Sequence, residues 1–270
     1  MKQTQQYLEF LEFGRKLSKN TIKSIEHDFT TFGEGLEQAT RKDVERYVMD
    51  QNKKGMSTGT LARRISSLKG FFDWQIYNGY RTGINPAGGK IAPKIKNESH
   101  QAITRNELDY LYNNAPNDNI KVAIGLMGYA GMRIGEVVEL GVTNFVYRDE
   151  NGVQAIYLKD TKGGKERKVS LALLPDEISN EPLVSQRGIY TSNGLWRILS
   201  KYFAEQGFKD LSPHALRKTF ATVITKAGLH SIFTRDLLGH SSIDNNHVTS
   251  RYISTTTVEE QAQALQQLQF

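Results

Sequence analysis

Six residues from position 133 onward carry side chains that could hold and break a phosphate ester. His214 and Arg217 stand three positions apart within Pro213–Ala227, a stretch that reads as a helix. That interval puts an imidazole and a guanidinium on one helix face, where both could meet the same anion. His240 follows the apolar Leu237-Leu238-Gly239, and Tyr252 is the only tyrosine after it. Two earlier pieces supply Arg133, in Gly131-Met132-Arg133-Ile134-Gly135-Glu136, and Lys162, in Thr161-Lys162-Gly163-Gly164-Lys165-Glu166-Arg167. A guanidinium is a fixed fork of donors that matches phosphate oxygens, so two from separate elements could hold the nonbridging oxygens as negative charge builds. Each residue also has a plainer reading. An isolated arginine is ordinarily a surface ion pair, and a phenol with a pKa of about 10 is a poor nucleophile unless its surroundings assist it. A histidine pair admits zinc, but the chain has no cysteine and the spacing fits no common zinc site, so no metal is expected. Glu136, one helical turn after Arg133, is placed to orient neighbouring groups.

The elements that must position these groups follow from periodicity and punctuation. Thr104 with Glu107 makes a capping box that opens regular structure. Residues 119–129 form an apolar helix, and Ile134–Leu140 a turn or short helix after it. Val153–Leu158 and Lys168–Leu173 read as strands joined by the charged, glycine-containing turn, with the sheet beginning near Val142–Val146. Helices are expected over Ser192–Phe203, Pro213–Ala227 and Ile232–Leu238. A last one, Val258–Leu268, places Ala262, Leu265 and Leu268 on one face.

The first third reads as helical throughout. Residues 4–16 form a first helix, and a second starts near Asn20-Thr21 with Ile22, Ile25, Phe29 and Phe32 at helical intervals. Thr40 with Asp43 caps a third that Gly55 ends. A fourth, Ser57 to about Tyr77, buries Leu61, Ile65, Leu68, Phe72 and Ile76, while Arg63, Arg64 and Lys69 populate the remaining surface, where they could touch DNA phosphates. Between Gly79 and His100 the glycines, prolines and Lys90, Lys94 and Lys96 read as an exposed basic linker and the domain boundary. The expected division is residues 1–88, a linker over 89–102, and a second domain over 103–270: a mainly α, two-domain chain.

The charge distribution points the same way. Residues 1–99 carry 17 Lys+Arg against 11 Asp+Glu and residues 100–270 carry 18 against 18, so the whole net charge of +6 lies in the first third. That suits a polyanionic partner held there. No apolar run approaches the roughly 20 residues that cross a membrane, and no amino-terminal signal segment is visible. The absence of cysteine removes disulfides and thiol nucleophiles, and a cytoplasmic setting is the default expectation.

In order along the chain, Arg-Ile-Gly-Glu at 133–136, the 161–167 turn, His-Ala-Leu-Arg-Lys-Thr at 214–219, Leu-Leu-Gly-His at 237–240 and Arg251-Tyr252 resemble the tyrosine recombinases, the family of phage integrases and chromosome-dimer resolvases. The match covers roughly residues 105–255. The resemblance implies an N-terminal helical SAM-like core-binding domain that closes over DNA, and a C-terminal α+β catalytic domain with a small antiparallel sheet. It implies Tyr252 as the nucleophile, Arg133 and Arg217 as the phosphate clamp, Lys162 rather than Lys165 as the general acid, and His214 and His240 as hydrogen-bond donors to the phosphate. DNA is then cleaved and rejoined through a 3'-phosphotyrosyl link with no cofactor, for integration, excision or resolution of a mobile element or plasmid. The partners implied are double-stranded DNA and three further protomers on two sites, the terminal helix docking on a neighbour. The chain's length leads us to expect no large arm-site-binding domain before residue 1. Two departures accompany the likeness. The turn starts Thr-Lys-Gly-Gly, and the twelve positions from His240 to Tyr252 exceed the family interval, with the additional residues in Ile243–Ser250 and an ambiguous His247 among them. A type IB topoisomerase-like nicking-closing enzyme and an inactive DNA-binding accessory factor are the alternatives.

Overall fold

In a computed structural model, the chain divides into two units, residues 1–98 and 99–270. The structure describes residues 2–94, 102–159, 166–186, 188–239 and 256–268.

The first unit is built by four helices, α1 (Gln3–Glu9), α2 (Lys19–Phe32), α3 (Arg41–Lys53) and α4 (Thr58–Tyr77). Their starts are set by local chemistry. Ser18 and Ser57 accept from the backbone N–H three residues on, and Thr40 and Asp43 complete a reciprocal capping box. The expected single helix over residues 4–16 instead ends at Glu9 and widens into a π-helical turn over Phe10–Gly14, which leaves Leu11 buried and Phe13 exposed. Tyr7, Phe29, Phe71 and Trp74 pack as a cluster, with ring centroids 5.5 Å apart for Tyr7 and Trp74 and 5.2 Å for Phe29 and Phe71. The expected linker is shorter than its composition suggests. Asn85 donates to the Lys69 carbonyl at 2.9 Å and to Asp73 at 2.6 Å, Ala87 is buried, and Ile91 packs on this unit's core. The glycines and prolines there make anchored turns, and Lys90 and Lys94 stand exposed on them.

The second unit has α5 (Arg105–Asn113), α6 (Asp118–Gly128) and α7 (Ile134–Val138), a three-stranded antiparallel sheet, and then α8 (Ser192–Glu205), α9 (Pro213–Lys226), α10 (Ser231–Leu238) and α11 (Val258–Gln266). The sheet runs β1 (Phe145–Arg148), β2 (Gln154–Leu158), β3 (Arg167–Ser170) in sequence order. A small hairpin of β4 (Val184–Ser185) and β5 (Gly188–Ile189) was not expected from the sequence. Helix α6 is the centre of the core: Ile120, Ala123, Ile124, Leu126 and Met127 are all buried, and it packs on α5, α7 and α9. Such a helix, almost wholly apolar after its first turn, gains most of its stability by being surrounded.

Helix α11 packs within its own unit. Its face of Val258, Ala262 and Leu265 is buried on β3 and α10. Gln261, also buried, accepts from the Ser170 backbone N–H at 3.0 Å and donates to the Lys168 carbonyl at 3.3 Å. A side-chain amide thus takes the place of a fourth strand at the open edge of β3. Among the described residues, no helix is long and apolar enough to cross a membrane.

Candidate active site

The site begins at a tight turn after α6. Gly131 has φ +65°, and a Cβ there would sit 2.4 Å from a ring carbon of Phe220, so only glycine allows α9 to approach this closely. That approach brings Arg217, on α9, to the Gly131 carbonyl and, through its other terminal nitrogen, to the Leu238 carbonyl at the end of α10. Pro213 opens α9, where a missing N–H costs nothing, and fixes the register that turns Arg217 inward.

Arg133 is the N-cap of α7, and Glu136 is its third residue. The Glu136 carboxylate accepts from the Arg133 backbone N–H at 2.7 Å and from Arg133 Nη1 at 2.9 Å. Both its oxygens also accept from Arg167, at the start of β3, at 2.8 and 2.9 Å. Arg133 Nη2 reaches towards the Gly239 carbonyl at 3.4 Å. Gly239 is left-handed, as a helix C-cap requires, and its Cα lies against Arg167: an added Cβ would fall 2.5 Å from Nη1. The start of α7 and the start of β3 therefore meet on one carboxylate, with the end of α10 against both arginines.

The electrostatics of this cluster are one-sided. Burial alone would raise the Glu136 carboxyl, but the hydrogen bonds and charge of Arg167, then those of Arg133, outweigh it and hold its pKa below the usual value. Arg217 is pushed down to about 10, first by burial and then by the charge of Arg133, with Glu136 opposing and Arg167 adding to the effect. His214 is exposed and, with Arg133, Glu136 and Trp196, lines a cleft of about 620 Å³.

The structure thus brings together Arg133, Glu136, Arg217 and His214 of the expected set. Lys162, His240, Tyr252 and Lys96, with Lys165 and His247, lie outside the described residues. Arg167 was not singled out by sequence reasoning. Its one signal is a pair of cations opening a short strand, a pattern shared by ordinary exposed strand ends. Of the basic residues expected on the surface of α4 in the first unit, Lys69 is exposed. Arg64 corrects that expectation: it is buried, with Nη1 donating to the Tyr47 hydroxyl and to Gln51, each at 3.3 Å. Arg63 is exposed, but its guanidinium forks onto the buried Asp28 at 2.5 and 2.7 Å.

Residues 101–258 match the family model described as the phage integrase family, and residues 4–79 match that of the phage integrase N-terminal SAM-like domain. The chain belongs to the phage integrase family. Within it, the chain is similar to tyrosine recombinase XerC of Roseiflexus castenholzii, 29% identical over 91% of this chain and 87% of the relative. It is 26% identical to tyrosine recombinase XerA of Pyrococcus furiosus over 92% and 88%. Among solved structures, a lambda integrase tetramer bound to a Holliday junction aligns with TM-score 0.68 at 19% identity, covering 91% of this chain and 78% of that one. This phage integrase family member is accordingly a tyrosine recombinase, an enzyme that transfers DNA strands.

Proposed function

We propose that the chain is a site-specific DNA recombinase whose arginine cluster receives the scissile phosphodiester and whose Tyr252 attacks it. The observation that carries this reading is the charge of the cluster. Arg133 and Arg167 bond one carboxylate, Glu136, and Arg217 lies within reach of its charge, so 3 − 1 leaves a local charge of +2 in a unit whose own total is 18 − 18 = 0. A phosphodiester carries one negative charge and its five-coordinate transition state two. A fixed excess of two positive charges therefore favours the transition state over the ground state.

In the proposed step, Tyr252 Oη forms a bond to phosphorus as the bond to the 5' oxygen breaks, and Lys162 gives that oxygen a proton. The phenolic proton leaves with help from His214, while His214 and His240 also donate hydrogen bonds to the nonbridging oxygens. A 5'-hydroxyl from another duplex reverses these bond changes, so the phosphotyrosyl link conserves the ester bond without a nucleotide cofactor. Chain tethering supports the placement. His240 follows the residue whose carbonyl faces Arg133, and Thr256 is held on α10 by Asp236, at 2.8 Å from its N–H. Four residues of extended chain from Thr256 to Tyr252 span at most about 14 Å.

The first unit, at 17 − 11 = +6, supplies the diffuse attraction for double-stranded DNA, with Lys69, Lys90 and Lys94 as exposed phosphate contacts and Lys96 as a further one. Exchange between two duplexes calls for four protomers, and α11, whose outward face carries the exposed Glu259, Gln263 and Gln266, is the proposed contact with a neighbour. The test is to sequence DNA that becomes covalently attached to the protein, build the captured site into two differently labelled duplexes, and look for recombinant strands. Joined products carrying both labels are expected, and their loss in the Arg217→Ala variant. Covalent capture with relaxation of supercoils but no label exchange would replace this reading with a nicking-closing enzyme.

A further inference from the structure

We infer that Arg167 is a positioning residue for strand cleavage, holding Glu136 and, through it, Arg133 in the orientation that the transition state requires. This rests on the reading of Arg133 as a phosphate ligand. Arg167 spends both terminal nitrogens on the two oxygens of Glu136, at 2.8 and 2.9 Å, so it is not itself free to fork onto a phosphate. Its side chain is 9% exposed, and its Nε has no hydrogen-bond partner among the described residues. Glu136 in turn grips Arg133 by backbone and side chain, and Arg133 reaches the Gly239 carbonyl, whose residue lies against Arg167. The contacts close into a ring of four residues from α7, β3 and α10.

Two considerations separate this from a fold-stabilising ion pair. Desolvation offsets most of the attraction in a buried pair, so an apolar pair of similar volume would join β3 to α7 as well or better. Arg133, by contrast, is 29% exposed and on a flexible side chain, so without a fixed partner it would sample several rotamers in the cleft. The ring also ties the strand that follows the Lys162 turn to the end of α10, from which His240 departs. One side chain thus sets the spacing between segments that carry three of the proposed groups.

Single-turnover cleavage of a nicked substrate, run on three forms of the scissile group, tests this. On the natural phosphate, Arg167→Ala should slow cleavage by about 100-fold, the cost of a misplacement on the order of 1 Å, with DNA affinity little changed. On a methylphosphonate, which is neutral and needs no charge clamp, the defect should largely vanish, as should that of Arg133→Ala. On a 5'-bridging phosphorothiolate, whose sulfur leaves without a proton, the Arg167→Ala defect should persist. The double variant Arg167→Ala/Glu136→Ala should be no slower than the worse single variant. If Arg167→Ala does not fold, Arg167→Lys, which keeps the charge but cannot bond both oxygens, gives the same comparison. A defect that survives on the methylphosphonate, is cured by the sulfur, or adds to that of Glu136→Ala would overturn the inference. Normal cleavage by Arg167→Ala beside an inactive Arg133→Ala would sink it alone, whereas normal cleavage by Arg133→Ala would sink the reading of the site.

Discussion

Replacing Glu136 by glutamine changes few atoms and removes the one negative charge among three guanidiniums. The carboxylate accepts four hydrogen bonds between 2.7 and 2.9 Å, and a glutamine amide would turn an N–H towards at least one of those donors. Removing one partner of a buried ion pair costs about 3–5 kcal/mol, because the remaining charge stays buried without compensation. In a unit of 270 − 98 = 172 residues, each kcal/mol lowers the melting temperature by about 2–4 °C, so a fall of roughly 6–20 °C is expected at pH 7. The pH dependence adds a signature. The Glu136 pKa is lowered in the folded state, so its contribution is fully present above the unfolded value of about 4.3 and is lost as pH falls through the folded value. Thermal unfolding of wild type and Glu136→Gln, followed by circular dichroism from neutral pH into acid, should show a gap that is constant above about pH 5 and narrows as pH falls below the unfolded carboxyl value of about 4.3. A gap of a degree or less at pH 7, or one unchanged in acid, would refute the claim that this carboxylate is ionised and holds the arginines.

Three other outcomes follow from the packing. Gly131→Ala should lose about 2–4 kcal/mol from left-handed strain and from collision with Phe220, and should slow cleavage because the Arg217 acceptor moves; denaturant unfolding and cleavage assays check both. Arg64→Ala should lower the stability of the first unit, whereas Lys69→Ala should leave stability alone and reduce the salt dependence of DNA binding by about one unit of slope. Gln261→Ala should loosen α11 from the edge of β3, visible as faster hydrogen exchange at the Ser170 amide with little change elsewhere in the sheet.

What could be read from the chain alone was what is encoded locally. Thr40 with Asp43 and Thr104 with Glu107 announce helix starts because both halves of each capping box lie within one turn. Arg133 and Glu136 are three apart, so their mutual contact was legible for the same reason. Arg167 and Glu136 are 31 positions apart, and nothing near either one marks their meeting. Arg64 misled in the opposite way: its place beside Arg63 suggested a polar face, but α3 brings Tyr47 and Gln51 over it. The turns from Gly79 to Ile91 looked like slack chain because their anchor, Asn85, reaches back across 16 residues to Lys69. The inward face of α11 was plain from its periodicity, but periodicity does not name the surface that covers it.

The atom of the protein that becomes joined to DNA decides between a tyrosine nucleophile and any other. Trapping the protein on a nicked site, digesting the complex with protease and locating the DNA-linked residue by mass spectrometry would give that directly. The expected result is a 3'-phosphate on Tyr252, with no covalent product from Tyr252→Phe although that variant still binds DNA. A link to any other residue, or undiminished capture by Tyr252→Phe, would contradict it.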